Sequence, residues 1–182
     1  MRRSSRTGKL THVDQANEIP PYTPQDVFQR LTELDVAHET QTHPPVFTVE
    51  DAKRLRGPIV GAHTKNLFLR DKKRKMYLVT CLEDRTIDLK GLAQRLETKN
   101  LSFASHQRLT EFLGVIPGAV TPFAAINDRN GAVTVILDAA LREASQLNFH
   151  PLDNSMTTSL HPDGLLRFLD AIDHPPRWMD FD

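Results

Sequence analysis

Net charge is the first thing this 182-residue chain lacks: 23 basic and 23 acidic side chains cancel to a formal zero at pH 7. A neutral domain exerts no long-range pull on polyanions, so any nucleic-acid partner must be met by a local patch. Cysteine is nearly absent. The single thiol, Cys81, cannot form an internal disulfide and fits a reducing compartment. It lies in an apolar run between Thr80 and Leu82, where a buried, inert role is expected because nothing adjacent in sequence would lower its pKa. No apolar run approaches the roughly 18 residues that span a bilayer. The N-terminal MRRSSRTGKL is basic but has neither the apolar stretch of a signal peptide nor the apolar face of a transit peptide. The expected location is the cytoplasm, with no membrane partner.

The usual catalytic machinery is missing too. There is no H-E-x-x-H, no Cys pair, and no metal-ligand spacing among the eight histidines. There is no Gly-x-Ser-x-Gly elbow, no G-x-x-x-x-G-K-[ST] loop and no G-x-G-x-x-G. An enzyme built from this chain has to work without a standard nucleophile, a metal or a cofactor.

What is present is ordinary globular composition, 39% hydrophobic and 25% charged, enough for one domain with a sizeable core. Residues 1–22 are poor in apolar groups and end at Pro20-Pro21, which reads as a basic arm. Thr23-Pro24-Gln25-Asp26 carries an N-cap, a first-turn proline and a third-position acid, so a helix starts there, with Val27, Leu31 and Leu34 as its apolar stripe. Thr48 is expected to cap a second helix that stops near Gly57-Pro58. Strands are expected over residues 64–70 and 76–82, joined by a basic turn. Asp88 and Ser105 are expected to cap helices ending near Leu96 and Gly114. Residues 123–126 and 133–137 read as two strands of a hairpin around Asn127 to Gly131, which ends in Asn-Gly. Short strands over 147–150 and 156–160 follow, then a helix from Pro162 with Leu165, Leu166, Phe168, Leu169 and Ile172 inward. The domain is expected to span residues 23–173, with 174–182 a tail partly ordered by Trp178. Helices first, then strands with helices between them, argue for a single α+β domain around one mixed sheet. With no long heptad pattern, a monomer is expected.

Three stretches invite a chemical reading. Lys65 and Asn66 open a strand where apolar residues would pack better. They are either exposed polar residues at a strand entrance or a cation and an amide at a pocket rim, able to hold a carbonyl or phosphate oxygen. In Gly114-Val-Ile-Pro117-Gly118-Ala-Val-Thr-Pro-Phe123 the glycines and prolines forbid regular structure. This is either a helix C-cap followed by a turn, or a loop in which Gly118 lets the backbone approach a ligand. His150 sits in an apolar setting, as a satisfied core histidine or a catalytic one. The turn containing Arg70, Lys72, Lys73 and Arg74 is either a solvated hairpin tip or a phosphate contact.

Four segments in order, HTKNLFLRDKK, LGVIPGAVTPFA, VILDAAL and LNFHPLDNSMTT, resemble the free-standing relatives of the prolyl-tRNA synthetase editing domain, the YbaK-like superfamily, nearest its ProXp-ala type. The resemblance covers about residues 24–172. It implies a mixed, mostly antiparallel sheet curled into a partial barrel with flanking helices. It also implies hydrolysis of a mischarged aminoacyl-tRNA, for this branch alanyl-tRNA(Pro), without metal or cofactor. Water attack would be assisted by the substrate's 2′-hydroxyl. By the same resemblance the catalytic positions fall on Lys65, Gly118 and His150. Substrate contacts fall on Asn66, Gly114, Pro117, Phe123, Thr157 and Thr158, and tRNA contacts on Arg70, Lys72, Lys73 and Arg74. The implied partners are the acceptor end of tRNA(Pro) and prolyl-tRNA synthetase. Alternatives of other kinds are a non-catalytic tRNA- or synthetase-binding module, and a deacylase for seryl, threonyl or another small acyl ester.

Overall fold

The computed structural model describes residues 21–48, 50 and 59–181. The expected arm (1–22) and the second helix (48–57) lie outside them, except for residues 21–22, 48 and 50. Among the described residues eight strands form one mixed sheet: β1 His38–Thr42, β2 Ala62–Arg70, β3 Met76–Leu82, β4 Ser102–Phe103, β5 Val133–Asp138, β6 Leu147–Phe149, β7 Met156–Leu160 and β8 Arg177–Met179. Their order is β1-β7-β6-β2-β3-β5-β8, with β4 also on β2, and the sheet stays open between β1 and β8. Parallel pairing joins β2 to β6, β3 to β5 and β5 to β8, and the other pairings are antiparallel. The flanking helices are α1 Pro24–Glu33, α2 Leu89–Arg95, α3 His106–Leu113 and α4 Pro162–Ala171.

The central strand explains the layering. β3 is apolar on both faces because both are covered. Met76 and Leu78 pack with Phe68 against Leu109 and Leu113 of α3, while Tyr77 and Val79 pack against Leu92 of α2 and Leu96. A third cluster joins α1 and α4 through Val27, Leu31, Leu165 and Phe168. The caps read from sequence form. The Asp26 carboxylate accepts the Thr23 N–H at 2.6 Å, Asp88 accepts the N–H groups of Lys90 and Gly91, and Ser105 accepts that of Arg108. Cys81 is fully buried, and burial pushes its thiol up to about 11, as an inert core group requires.

The expected hairpin around Asn127 to Gly131 does not form. Residues Pro122–Asn127 make a 3₁₀ helix, started by Pro122 and by the Thr121 hydroxyl accepting the Phe123 N–H at 3.4 Å. A short apolar run buried on every side has the same signature in a strand and in a helix, so pattern alone could not separate them. β5 pairs instead in parallel with β3, Val133 opposite Met76. Three strands carried no sequence signal. β1 is polar throughout, β4 has two residues, and β8 comes from the expected tail, where Trp178 pairs opposite Leu137.

Candidate functional site

β2 positions the site because its outer edge is only partly covered. It meets β6 over Ala62 and His63 and β4 over Leu69 and Arg70. Between those pairings no described strand joins that edge, and a cleft opens there. Its inner cavity, about 60 Å³, is bordered by Val46, Thr64, Asn66, Phe149, His150 and Thr157, among others. An outer cleft of about 260 Å³ shares Val46, Thr64, Asn66 and His150 and adds Phe47, Lys65 and Gly118.

The wall facing β2 is a turn. Ala119 N–H donates to Ile116 O at 3.0 Å, with Pro117 and Gly118 between them and Gly118 at φ +90°. That is a type II turn, whose third position favours glycine. The turn presses on residues 46 and 47: a Cβ on Gly118 would stand 3.1 Å from Val46 O and 3.2 Å from Phe47 Cα. Val46 is itself fixed, accepting from Asn154 Nδ2 at 2.7 Å and donating to Asn154 O at 3.1 Å.

The polar groups of the cavity are oriented by their neighbours. His150 Nδ1 lies 2.7 Å from Met156 O. A carbonyl only accepts, so Nδ1 carries the hydrogen and, in the neutral ring, Nε2 carries the lone pair. Burial holds this imidazole below its ordinary pKa, and His43 nearby adds to the effect. The His43 ring centroid is 5.9 Å away, and its Nε2 meets the Thr157 hydroxyl at 2.8 Å. The Asn66 side-chain oxygen accepts from the Thr80 hydroxyl at 2.8 Å, which leaves its NH₂ to donate into the cleft. Thr64 donates to Asn148 O at 3.2 Å. The Asn148 side chain is tied to Val60 O at 3.0 Å and to the Ser159 hydroxyl at 2.6 Å.

Lys65 stands differently. Strand alternation turns it to the face opposite Thr64 and Asn66. Its ammonium donates to Arg85 O, and the Arg85 guanidinium is held by the fully buried Asp138 at 3.1 Å. It borders the outer cleft and not the inner cavity.

Of the positions singled out in the sequence, Lys65, Asn66, Gly118, His150 and Thr157 meet at this cleft. Others do not border it. Gly114 ends α3 in the left-handed conformation at φ +63°, against Asn127 and Pro21. Pro117 shapes the turn without bordering the cleft. Phe123 is fully buried, its ring edge-on to Phe149 and Phe168 at 5.8 and 5.0 Å, so it is a core residue. Thr158, next to Thr157, faces away and shares a 2.9 Å hydrogen bond with Thr40. Arg70, Lys72, Lys73 and Arg74 lie at the far end of the β2–β3 hairpin. His43 and Val46 escaped the sequence reading, and His63 and Asn148, which lie within two of the segments quoted from the sequence, were given no role there. His43 reaches the cleft only because β1 pairs with β7, with Thr42 opposite Met156, and no local pattern announces that. Among the described residues no group of three or more His, Cys, Asp or Glu side chains could hold a metal ion, and no helix is long and apolar enough to cross a membrane.

Comparison with known proteins fits this geometry. Residues 43–168 match the aminoacyl-tRNA editing domain family. The chain is 42% identical over 159 residues to a prolyl-tRNA synthetase associated domain-containing protein 1 from Bos taurus, covering 85% of this chain and 92% of that one. It is 39% identical over 148 residues to the prolyl-tRNA editing protein ProX of Acetoanaerobium sticklandii, covering 81% and 90%. A crystal structure of a candidate trans-editing enzyme for prolyl tRNA synthetase superposes with a TM-score of 0.67 over 87% of this chain and 96% of that one; at 18% identity the likeness is one of fold. The matched span contains the whole cleft, from His43 to Thr157, and the chain belongs to the aminoacyl-tRNA editing domain family.

Proposed function

We propose that this protein is a free-standing deacylase that clears mischarged tRNA(Pro), with alanyl-tRNA(Pro) as its substrate, and that it works in the cytoplasm as a monomer without metal or cofactor. The observation that carries this reading is the size of the inner cavity. An apolar cavity of about 150 Å³ accepts a benzene ring, whereas this one offers about 60 Å³. In this reading the inner cavity takes a methyl group and turns away the larger pyrrolidine ring of proline. Attraction to one methyl is worth only about 0.8 kcal/mol, so discrimination rests on exclusion of the larger group, the second sieve of a double-sieve scheme.

In this reading the aminoacyl ester lies across the outer cleft with its side chain in the inner cavity. Water adds to the ester carbonyl carbon, the bond to the ribose oxygen breaks, and that oxygen leaves with a proton. The substrate's vicinal hydroxyl assists the attack. The Asn66 NH₂ is a donor for the carbonyl oxygen as it gains charge. The neutral His150, with its Nε2 lone pair, orders the attacking water or takes its proton. Gly118 keeps the wall close to the ester, and Lys65, which borders the outer cleft, meets negative charge on the terminal nucleotide once its ammonium turns from Arg85 O.

The test is deacylation of alanyl-, seryl- and prolyl-tRNA(Pro) side by side. Fast loss of alanine with proline spared is expected. Comparable hydrolysis of the prolyl ester refutes the editing role. Faster loss of serine keeps the reaction and changes the substrate. No hydrolysis of any ester leaves a binding module.

A further inference from the structure

The methyl of alanine accounts for only part of the inner cavity. Val46 and Phe149 are its apolar walls, 3% and 2% exposed. A cavity for a methyl alone needs nothing more, yet Thr64 and Thr157 border it as well. Thr157 is buried and Thr64 half-buried, and a hydroxyl withdrawn from water is costly unless it is hydrogen-bonded. The neighbours of each hydroxyl fix what it can offer a ligand.

The one hydrogen of the Thr64 hydroxyl goes to Asn148 O at 3.2 Å. Asn148 is held in place: it is 5% exposed, its amide donates to Val60 O at 3.0 Å and Ala62 O at 3.3 Å, and it accepts from the Ser159 hydroxyl at 2.6 Å. Thr157 reaches the same state through a histidine. His43 Nδ1 lies 2.8 Å from Pro44 O. A carbonyl only accepts, so in the neutral ring Nδ1 carries the hydrogen and Nε2 the lone pair. The Thr157 hydroxyl, 2.8 Å from Nε2, therefore donates its hydrogen there. Each hydroxyl is left with lone pairs alone. Two oxygens, one from β2 and one from β7, thus border one small cavity as acceptors. Among the described residues bordering that cavity there is no lysine or arginine, and there is a carboxylate, Glu83. A group entering between the two oxygens has to be a hydrogen-bond donor, and a cation suits it best.

We infer that Thr64 and Thr157 bind the α-amino group of the substrate, and that His43 and Asn148 are positioning residues that keep both hydroxyls as acceptors. The inference rests on the editing reading and adds a second requirement to it, a free amine. The methyl and the amine of alanine hang from one carbon, so the methyl meets Val46 and Phe149 while the amine meets the threonines. The ordinary pKa of an α-amino group is about 7.7–8.0, so at neutral pH it is largely an ammonium, with three N–H donors and no acceptor. An N-acylated alanyl ester keeps one N–H, carries no charge and adds bulk, so the site refuses it and spares peptidyl esters. A hydroxyl in place of the amine brings one hydrogen to two acceptors. A site built to hydrogen-bond a substrate group rejects the analogue that lacks it, because its own buried polar groups are then left unpaired.

The experiment compares three esters of tRNA(Pro) at neutral pH: alanyl, N-acetylalanyl, and lactyl, in which a hydroxyl replaces the amine. Values of kcat and KM are measured for the wild type, Thr64→Val, Thr157→Val, Thr157→Ser and His43→Phe, each corrected for spontaneous hydrolysis of the same ester. The ratio of alanyl to lactyl kcat/KM within one preparation does not depend on how much of the protein is folded, and a purely structural defect lowers both esters together. A hydrogen bond to a charged group is worth a factor of about ten or more. Each valine variant should therefore lower the ratio about tenfold, through the KM of the alanyl ester more than through kcat, and Thr157→Ser should keep it. His43→Phe releases the Thr157 hydrogen and should lower the ratio several-fold. The N-acetylalanyl ester should survive the wild type. An unchanged ratio in both valine variants overturns the inference, and so does loss of the N-acetylalanyl ester at the alanyl rate. If the wild type hydrolyses no ester, the deacylase reading fails, and binding of amide-linked alanyl- and lactyl-CCA oligonucleotides decides the amine site by itself. Tighter binding of the alanyl oligonucleotide, lost in Thr157→Val, upholds the site; equal binding of the two overturns it.

Discussion

Replacing Gly118 by alanine tests the cleft wall, and the structure supplies the magnitudes. At φ +90° an L side chain is strained, at a cost of about 1–2 kcal/mol. The added methyl carbon would stand 3.1 Å from Val46 O and 3.2 Å from both Asn154 Nδ2 and Phe47 Cα. Carbon contacts are comfortable at about 3.5–4.0 Å, so the facing segment has to retreat by a few tenths of an ångström. Two hydrogen bonds to Asn154 resist that movement, and weakening one costs about 1 kcal/mol. The expected loss is about 2–3 kcal/mol, a fall in Tm of roughly 4–12 °C for a domain of this size. That leaves the protein folded, but Val46, Phe47 and the turn no longer meet the ester as before. Misplacement of about 1 Å can cost about 100-fold in rate, so a smaller shift should lower kcat/KM by about tenfold. Gly131→Ala is the control. Its φ is +63° and nothing lies within 4 Å of the new methyl, so it carries backbone strain alone and should lose about 1 kcal/mol with full activity. The assay is thermal unfolding and single-turnover deacylation of both variants. A Gly118→Ala protein with the kcat/KM of the Gly131→Ala control would refute the reasoning.

Lys65→Ala should lower kcat/KM at least tenfold, about 1.4 kcal/mol of transition-state stabilisation, with little change in Tm; full activity in the folded variant ends its catalytic role. His150 has a depressed pKa, so its neutral form persists below the pH where a free imidazole is half protonated, about 6.5. The rate should therefore begin to fall only at a lower pH than a free imidazole would allow, and His150→Ala should lose that acid limb with most of the activity; an acid limb that survives the substitution places the titration elsewhere. The buried pair of His174 and Asp128, 3.0 Å apart, makes a prediction about stability. The Asp128 hydrogen bond raises the His174 pKa, so its contribution is complete below about pH 6.5 and is lost as pH rises through the raised folded value. Asp128 is pushed up by burial but lowered overall by its hydrogen bonds, so its contribution is present above about pH 3.9 and is lost as pH falls through the depressed value. The stability difference between wild type and His174→Gln should be largest between those limits and shrink at alkaline pH; a difference independent of pH shows that His174 is not charged in the fold.

What the sequence by itself determined was local. Helix starts at Thr23, Asp88 and Ser105 were legible because a cap and the N–H groups it satisfies lie within three residues of each other. The β2–β3 hairpin was legible because its apolar runs and its charged turn are contiguous, and the turn at Pro117-Gly118 because only certain residues tolerate that backbone. Lys65, Asn66, Gly118 and His150 were legible as a set through ordered motifs. The tertiary structure decided everything that depends on which segments meet. It sent residues 122–127 into a buried 3₁₀ helix and gave β5 to β3 as a parallel neighbour. It added the polar β1, and with it brought His43 beside His150. It moved Phe123 and Thr158 away from the cleft, because a strand shows alternate residues to opposite faces and a ring surrounded by apolar partners is worth more in the core. It also set the size of the inner cavity, a distance between side chains far apart in the chain, which no reading of one segment contains.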